Sequence, residues 1–156
     1  MPRPRIMIVD SESGQAQCLR LALKHLGLEA EAFRDPDQAL AHFSPGLYAI
    51  VISDIWMSKL SGFEFARKID AMDKDTKIIL MSAYRMTREE FNKFLPSTRV
   101  DAFIKKPIGM TKLRDHLSVL LGNYKEGRWS LISSCIGSAM TTSMIFMLQD
   151  NIPVFA

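Results

Sequence analysis

Residues 49–54 read Ala-Ile-Val-Ile-Ser-Asp, an apolar run that ends on a carboxylate. The run does not alternate between apolar and polar residues, which is typical of a strand buried on both faces of a parallel sheet. Three other apolar runs also end on polar or charged residues, namely Asp10, Ser82 and Lys106. The carboxyl ends of parallel strands share one edge of a sheet, where ligands bind. We therefore expect these three side chains and that of Asp54 to form one site.

Helix signals separate the apolar runs from one another. Asp35, Ser61 and Thr87 are typical N-cap residues. Residues 15–26 and 113–121 place leucines on one helical face. The strands are expected at residues 6–9, 29–33, 49–52, 78–81 and 102–104. This alternation predicts an α/β fold, a doubly wound parallel sheet of five strands with helices on both faces.

Composition narrows the possible functions. The chain has 156 residues and is 47% hydrophobic, which fits one domain with a single core. A formal charge of +3 is too small to indicate nucleic-acid binding. Cys18 and Cys135 match no metal or redox spacing, and no apolar signal region follows the N-terminus, so we expect a cytoplasmic protein. Basic residues are frequent between positions 85 and 114, where they form a solvated face or attract an acidic partner.

The four polar residues resemble the site of a known family, the CheY-like receiver domains of two-component response regulators. The resemblance covers residues 5–122 and includes Met57 and Gly62 in the loop after Asp54. Ser58 stands where the family usually has proline. The chemotaxis receiver is a known example of the flavodoxin-like strand order 2-1-3-4-5, and the resemblance implies that order here.

The resemblance also implies a role for each polar residue. Asp54 would accept a phosphoryl group as an aspartyl phosphate. Asp10 and Asp54 would hold Mg²⁺, which prefers oxygen ligands, together with the backbone carbonyl of Trp56. The metal is needed because a carboxylate and a phosphoryl group repel each other. Lys106 would bind one phosphoryl oxygen, and Ser82 would donate a hydrogen bond to another.

Aromatic residues near the site carry further expectations from the family. The bond from Ser82 would draw the fourth strand toward the phosphoryl group and reorder the aromatic ring on the fifth strand, which is Phe103 here. Trp56, Ala83 and Tyr84 would flank the pocket, and the two large rings would exclude water and slow the loss of the phosphoryl group. The alternative is that both rings simply cover loop surface.

The residue after Lys106 completes the family pattern. Receivers typically have a cis peptide bond at this position, and an X-Pro bond adopts cis at a cost of only about 0.5 to 1 kcal/mol. We therefore expect the bond before Pro107 to be cis.

Residue 11 departs from the family pattern. Receivers usually have two adjacent acids after the first strand, whereas Asp10 is followed here by Ser11 and then by Glu12. Glu12 could reach the metal directly or through water, or it could favour the dipole of the first helix. We expect weaker Mg²⁺ binding than at a two-acid site.

Residues 123–156 form a tail outside the resemblance and are too few for a DNA-binding domain with its own core. Residues 130–149 carry no charge and follow Lys125 and Arg128. The stretch is long enough to span a bilayer, which would attach the protein to the inner face of the membrane. Its many Ser and Thr residues favour instead a helix or arm packed on the receiver or on a second copy.

These features predict a single-domain response regulator rather than a metabolic enzyme. It would take a phosphoryl group from a histidine kinase or phosphotransfer protein, with Mg²⁺-dependent self-phosphorylation and autodephosphorylation. Phosphorylation would change the surface of the fourth helix, fifth strand and fifth helix for a downstream protein or a homodimer. A pseudo-receiver that binds partners without phosphorylation is the alternative, motivated by Ser11. A haloacid-dehalogenase-like phosphatase is disfavoured because residues 10–12 lack that family's Asp-x-Asp.

Overall fold

A computed structural model describes residues 4–121, in which strands and helices alternate. The strands are β1 (Arg5–Val9), β2 (Glu29–Phe33), β3 (Ile50–Asp54), β4 (Lys77–Ser82) and β5 (Ala102–Lys105). The helices are α1 (Ser13–His25), α2 (Pro36–His42), α3 (Gly62–Met72), α4 (Arg88–Phe94) and α5 (Met110–Leu120). All pairings are parallel and the strand order is β2-β1-β3-β4-β5, which confirms the predicted fold.

The sheet separates two layers of apolar side chains. Because successive side chains of a strand point to opposite faces, Ile6 and Ile8 join one layer and Met7 and Val9 the other. The first layer includes residues of α1 and α5, and the second includes residues of α2, α3 and α4. Burial of each large apolar side chain contributes roughly 1.5–3 kcal/mol. Burial on both faces accounts for apolar runs without alternation.

Side-chain caps fix where three of the helices begin. The Asp37 amide donates to Asp35 Oδ1 over 2.9 Å at the start of α2. At α3 the Glu64 amide donates to Ser61 Oγ over 3.2 Å. Thr87 and Glu90 form the full capping box of α4. Each cap contributes about 1 kcal/mol and fixes the residue at which the preceding loop ends.

At the amino-terminal edge of the sheet, the partly buried side chain of Arg99 is held by groups of its own chain. Its guanidinium lies 2.9 Å from an Asp101 oxygen and 3.5 Å from Asp70 Oδ1. It also donates to the Thr76 carbonyl over 2.7 Å. Arg99 is one of the basic residues between positions 85 and 114 that are expected to form a solvated face or to attract an acidic partner. Its charge is paired instead with two carboxylates of its own chain.

The tail, residues 123–156, lies outside the described residues. Within residues 4–121, no helix is both long enough and apolar enough to cross a membrane.

Gly62 fixes the turn that follows β3. Its amide donates to the Ile55 carbonyl over 2.8 Å. A Cβ added at Gly62 would lie 2.2 Å from the Asp54 carbonyl oxygen and 2.7 Å from the Ile55 Cα. Both neighbours are main-chain atoms that cannot rotate away. Glycine therefore allows α3 to pack directly against the strand end that carries Asp54.

We predict that Gly62→Ala destabilises the fold by about 2 kcal/mol, the usual size of an overpacking defect. Gly14→Ala is the matched control, because Gly14 lies in α1 and its added Cβ would meet no atom within 4 Å. That control should gain up to about 1 kcal/mol from helix propensity. Urea unfolding followed by circular dichroism measures both. Equal effects of the two substitutions would contradict the close approach at Gly62.

Candidate functional site

A lysine ammonium joins two buried carboxylates at the carboxyl edge of the sheet. Asp10 directly follows β1, Asp54 ends β3 and Lys106 directly follows β5. Lys106 Nζ lies 2.7 Å from Asp10 Oδ2 and 3.1 Å from Asp54 Oδ2. The structure thus brings together three of the four residues that end the apolar runs, as the topology of a parallel sheet requires.

Backbone amides orient both carboxylates. The Glu12 amide donates to Asp10 Oδ1 over 2.9 Å, and the Trp56 amide donates to Asp54 Oδ1 over 3.3 Å. In each case a carboxylate accepts from the amide two residues later, the usual local bond of an aspartate at a turn. The second oxygen of each group is left for Lys106.

Two buried carboxylates share one ammonium, so the site has an excess of negative charge. Asp10 is 1% exposed and Asp54 is 6% exposed. Burial raises the pKa of Asp54, and the neighbouring Asp10 charge raises it further, while the Lys106 ammonium and the Trp56 amide oppose the shift. The net direction is upward. One ammonium therefore does not offset the burial of the Asp54 carboxylate beside a second acid.

Ser82 lies at the same edge of the sheet, and its hydrogen bonds join it to the backbone amides of Tyr84 and Lys106. Its hydroxyl accepts from the Tyr84 amide over 3.0 Å, while its carbonyl accepts from the Lys106 amide over 2.7 Å. The bond between the Lys106 amide and the Ser82 carbonyl fixes the backbone position from which the lysine side chain extends. Ser82 is thus tied to Lys106 through the backbone, and its hydroxyl is held by the β4–α4 loop.

Phe103 is buried in β5, on the side of the sheet that α4 covers. Its ring meets Phe91 of α4 edge-on, with ring centroids 4.7 Å apart and an interplanar angle of 66°. This geometry is a favourable one for two aromatic rings. The residue at the family's switch position thus contacts α4 directly.

A cavity of about 500 Å³ opens beside the carboxylates, and sequence reasoning missed it. Trp56, Ala83 and Pro107 line it together with Asp10 and Asp54. It continues between α1 and the start of α5, where its walls are mostly apolar, with the polar side chain of Gln15 on α1. The apolar wall residues are Leu19, Ala22, Met81, Ile108, Met110 and Leu113. The predicted apolar face of α1 was a signal for it, but that face gave no indication of an unfilled volume.

The flanking positions differ in their relation to this cavity. Trp56 is 63% exposed at its rim, while Tyr84 is 72% exposed and is not among its lining residues. The peptide bond between Lys106 and Pro107 is cis. Slow loss of a phosphoryl group through shielding by the two rings stays a prediction.

The donor atoms suit a hard cation with few protein ligands. Two carboxylates meet here, and an ammonium already lies between them. The Glu12 carboxylate accepts a hydrogen bond from the Gln15 side chain. Within the described part of the chain, no group of three His, Cys, Asp or Glu side chains is arranged to hold a metal ion. Mg²⁺ prefers oxygen ligands and keeps several waters, so the two aspartates fit it as a sparse site.

The comparison with protein families identifies the domain. The family model of the response regulator receiver domain matches residues 6–118. The chain belongs to this family, whose members are phospho-accepting signalling domains rather than metabolic enzymes.

Among curated relatives, the chain is similar to the transcriptional regulatory protein DltR of Streptococcus agalactiae, with 27% identity over 109 residues. That match covers 70% of this chain and 48% of DltR. It is also 27% identical over 111 residues to the response regulator Rre1 of Synechocystis, covering 69% of this chain and 47% of Rre1. The chain thus spans about half the length of these relatives.

Solved structures give the same fold. The response regulator TrrA from Thermotoga maritima, in complex with Mg²⁺-BeF, is 31% identical with a TM-score of 0.65, covering 75% of this chain and 98% of that one. A CheY-like receiver domain protein from Methanospirillum hungatei has 23% identity and a TM-score of 0.70, covering 77% of this chain and 94% of that one.

We predict that Asp54→Asn stabilises the metal-free protein at neutral pH, because the asparagine amide carries no charge to be buried beside Asp10. A raised pKa in the folded state means that ionised Asp54 opposes folding, so the wild type should recover stability as pH falls through that pKa. The gain from asparagine should therefore shrink toward acid pH. Urea unfolding in EDTA at several pH values measures it.

Asp115→Asn is the control for this prediction, because Asp115 is largely exposed and pairs only with its neighbour Arg114 among the ion pairs of residues 4–121. Its change in the free energy of unfolding should stay within about 0.5 kcal/mol. A loss of stability in Asp54→Asn would show that the bond to Lys106 outweighs the cost of burial.

Proposed function

We propose that this chain acts as a response regulator receiver that accepts a phosphoryl group on Asp54 from the phosphohistidine of a histidine kinase or phosphotransfer protein. The observation that supports it best is the pair of carboxylates of Asp10 and Asp54 around one ammonium, at the strand ends of a receiver domain. The proposal places the protein in the cytoplasm, where the kinase's phosphohistidine is presented.

The transfer follows from the chemistry of the groups present. An Asp54 carboxylate oxygen attacks phosphorus, the new P–O bond forms, and the P–N bond of the phosphohistidine breaks with its electron pair going to the imidazole. Lys106 exchanges its bond to Asp54 for a phosphoryl oxygen, which keeps the ammonium paired. The Ser82 hydroxyl, now held by the Tyr84 amide, rotates to donate to a second oxygen.

Mg²⁺ is the cofactor of this proposal. Asp10, Asp54 and the Trp56 carbonyl would hold it, with Glu12 directly or through water. When bound, the ion would offset the repulsion between the carboxylate and the incoming phosphoryl group. The Mg²⁺-BeF complex of TrrA supports this ligand chemistry for the family.

The downstream partner would bind the α4-β5-α5 surface. Phe94 of α4 is 65% exposed and Val119 of α5 is 79% exposed, so this side presents apolar contacts. Phe103 packs against Phe91 and so links β5 to α4 within the surface. A second copy of the chain is an alternative occupant.

The experiment that tests the function is phosphorylation with acetyl phosphate and Mg²⁺, followed by intact-mass measurement. We expect one added phosphoryl group in the wild type and in Asp115→Asn, and none in Asp54→Asn. Hydroxylamine should remove the group, because an acyl phosphate is cleaved by this nucleophile. An unmodified wild type with intact partner binding would favour the pseudo-receiver instead, for which Ser11 is the specific observation.

Ser11→Asp should raise the affinity for Mg²⁺ at least tenfold, since it adds a third carboxylate to those of Asp10 and Asp54. Trp56 fluorescence measures binding in a Trp129→Phe background, because the chain has 2 tryptophans. Ser11→Ala should leave the affinity unchanged. Equal affinities in the aspartate and alanine variants would show that residue 11 does not reach the metal.

A further inference from the structure

The cavity between α1 and α5 is larger and more apolar than phosphoryl transfer needs. Its volume of about 500 Å³ reaches from the carboxylates to Leu19 and Ala22 on α1 and to Leu113 on α5. Pockets of this size and character bind apolar groups. Cys18 also lines the wall, so a native thiol reports on whatever fills the cavity.

The last described helix begins at this cavity and leads to the tail. Met110 and Leu113, in the first part of α5, form one wall. The helix has 11 residues and is therefore about 16 Å long, which places Leu121 within about 20 Å of Met110 on the cavity wall. Residues 122–129 extend to at most about 28 Å. The stretch that follows them is therefore able to return to the cavity.

That stretch, residues 130–149, needs an apolar environment. It contains no charged residue and carries leucine, isoleucine, methionine and phenylalanine side chains. Leaving them in water costs roughly 25 cal/mol for each Å² of apolar surface. Attachment to α5 supplies an effective concentration in the millimolar range, so even a weak contact would be populated.

We propose that residues 130–149 of the same chain insert apolar side chains into the cavity between α1 and α5. The apolar walls receive the uncharged stretch, and the docked stretch lies beside the carboxylate end that contains Asp54. Cys135, within the stretch, is then close to Cys18 on the wall. The docking is independent of phosphorylation, so its test does not depend on the proposed function.

The test is cross-linking of the two native thiols in the full chain with a short bismaleimide, followed by intact-mass measurement. We expect an intramolecular Cys18–Cys135 bridge whose yield does not depend on protein concentration. Cys18→Ser and Cys135→Ser should each abolish it. Products that are only dimers would mean that a second copy fills the cavity, which would overturn the proposal, and so would the absence of any bridge.

A matched pair of variants tests whether the cavity is the docking site. Leu19→Asp puts a charge on the wall, whereas Leu21→Asp puts it on an exposed position of the same helix. The first should reduce the cross-linking rate at least tenfold and the second should leave it unchanged.

A second measurement does not depend on a bridge between the two thiols. In a Cys135→Ser background, Ile136→Asp should speed the alkylation of Cys18 by a monofunctional maleimide several-fold, because the charged stretch no longer covers it. Asn123→Asp, outside the stretch, should not. An unchanged rate in Ile136→Asp would overturn the proposal.

Discussion

The chemistry of this edge depends on one ammonium held between two buried carboxylates. Lys106 comes from beyond β5, yet it reaches Asp10 on the far side of β3 because its stem is long and its backbone amide is fixed to Ser82. Removing the ammonium would leave two desolvated carboxylates unpaired, and breaking a buried pair in this way costs about 3–5 kcal/mol. With two acids and one base, the balance still favours added positive charge, as the raised pKa of Asp54 indicates.

The apolar interior makes this charge cluster possible. Ile6, Ile8, Ile50 and Ile52 have no exposed surface, and β1 and β3 carry no charged side chain between their terminal residues. Charge appears only where those strands end. The close approach at Gly62 then holds the end of β3 against α3. The site is therefore positioned by main-chain packing, and its side chains need few contacts of their own.

The positions of the strands and of the helix starts were predictable from the sequence, because local residue patterns determine them. Runs without alternation mark strands buried on both faces, and N-cap residues such as Asp35 and Thr87 mark helix starts by local bonds. Side-chain partners were less predictable because they depend on geometry across the fold. The Ser82 hydroxyl bonds a loop amide, the Glu12 carboxylate bonds Gln15, and Arg99 is used at the opposite edge. The cavity beside α1 was missed because periodicity reports which face is apolar and not how completely it is filled.

The aromatic residue of β5 constrains how a change at the site reaches the surface. Phenylalanine has no hydroxyl, so Phe103 must transmit any change through packing. Its ring contacts Phe91, which is 6.0 Å from Phe63, and Phe63 is stacked 5.7 Å from the exposed ring of Phe94. Interiors packed this closely do not deform continuously, so a shifted ring displaces its neighbour by a whole rotamer or not at all. A signal carried by steric contact in this way would alter α3 and α4 together, because Phe63 belongs to α3 and Phe94 to α4.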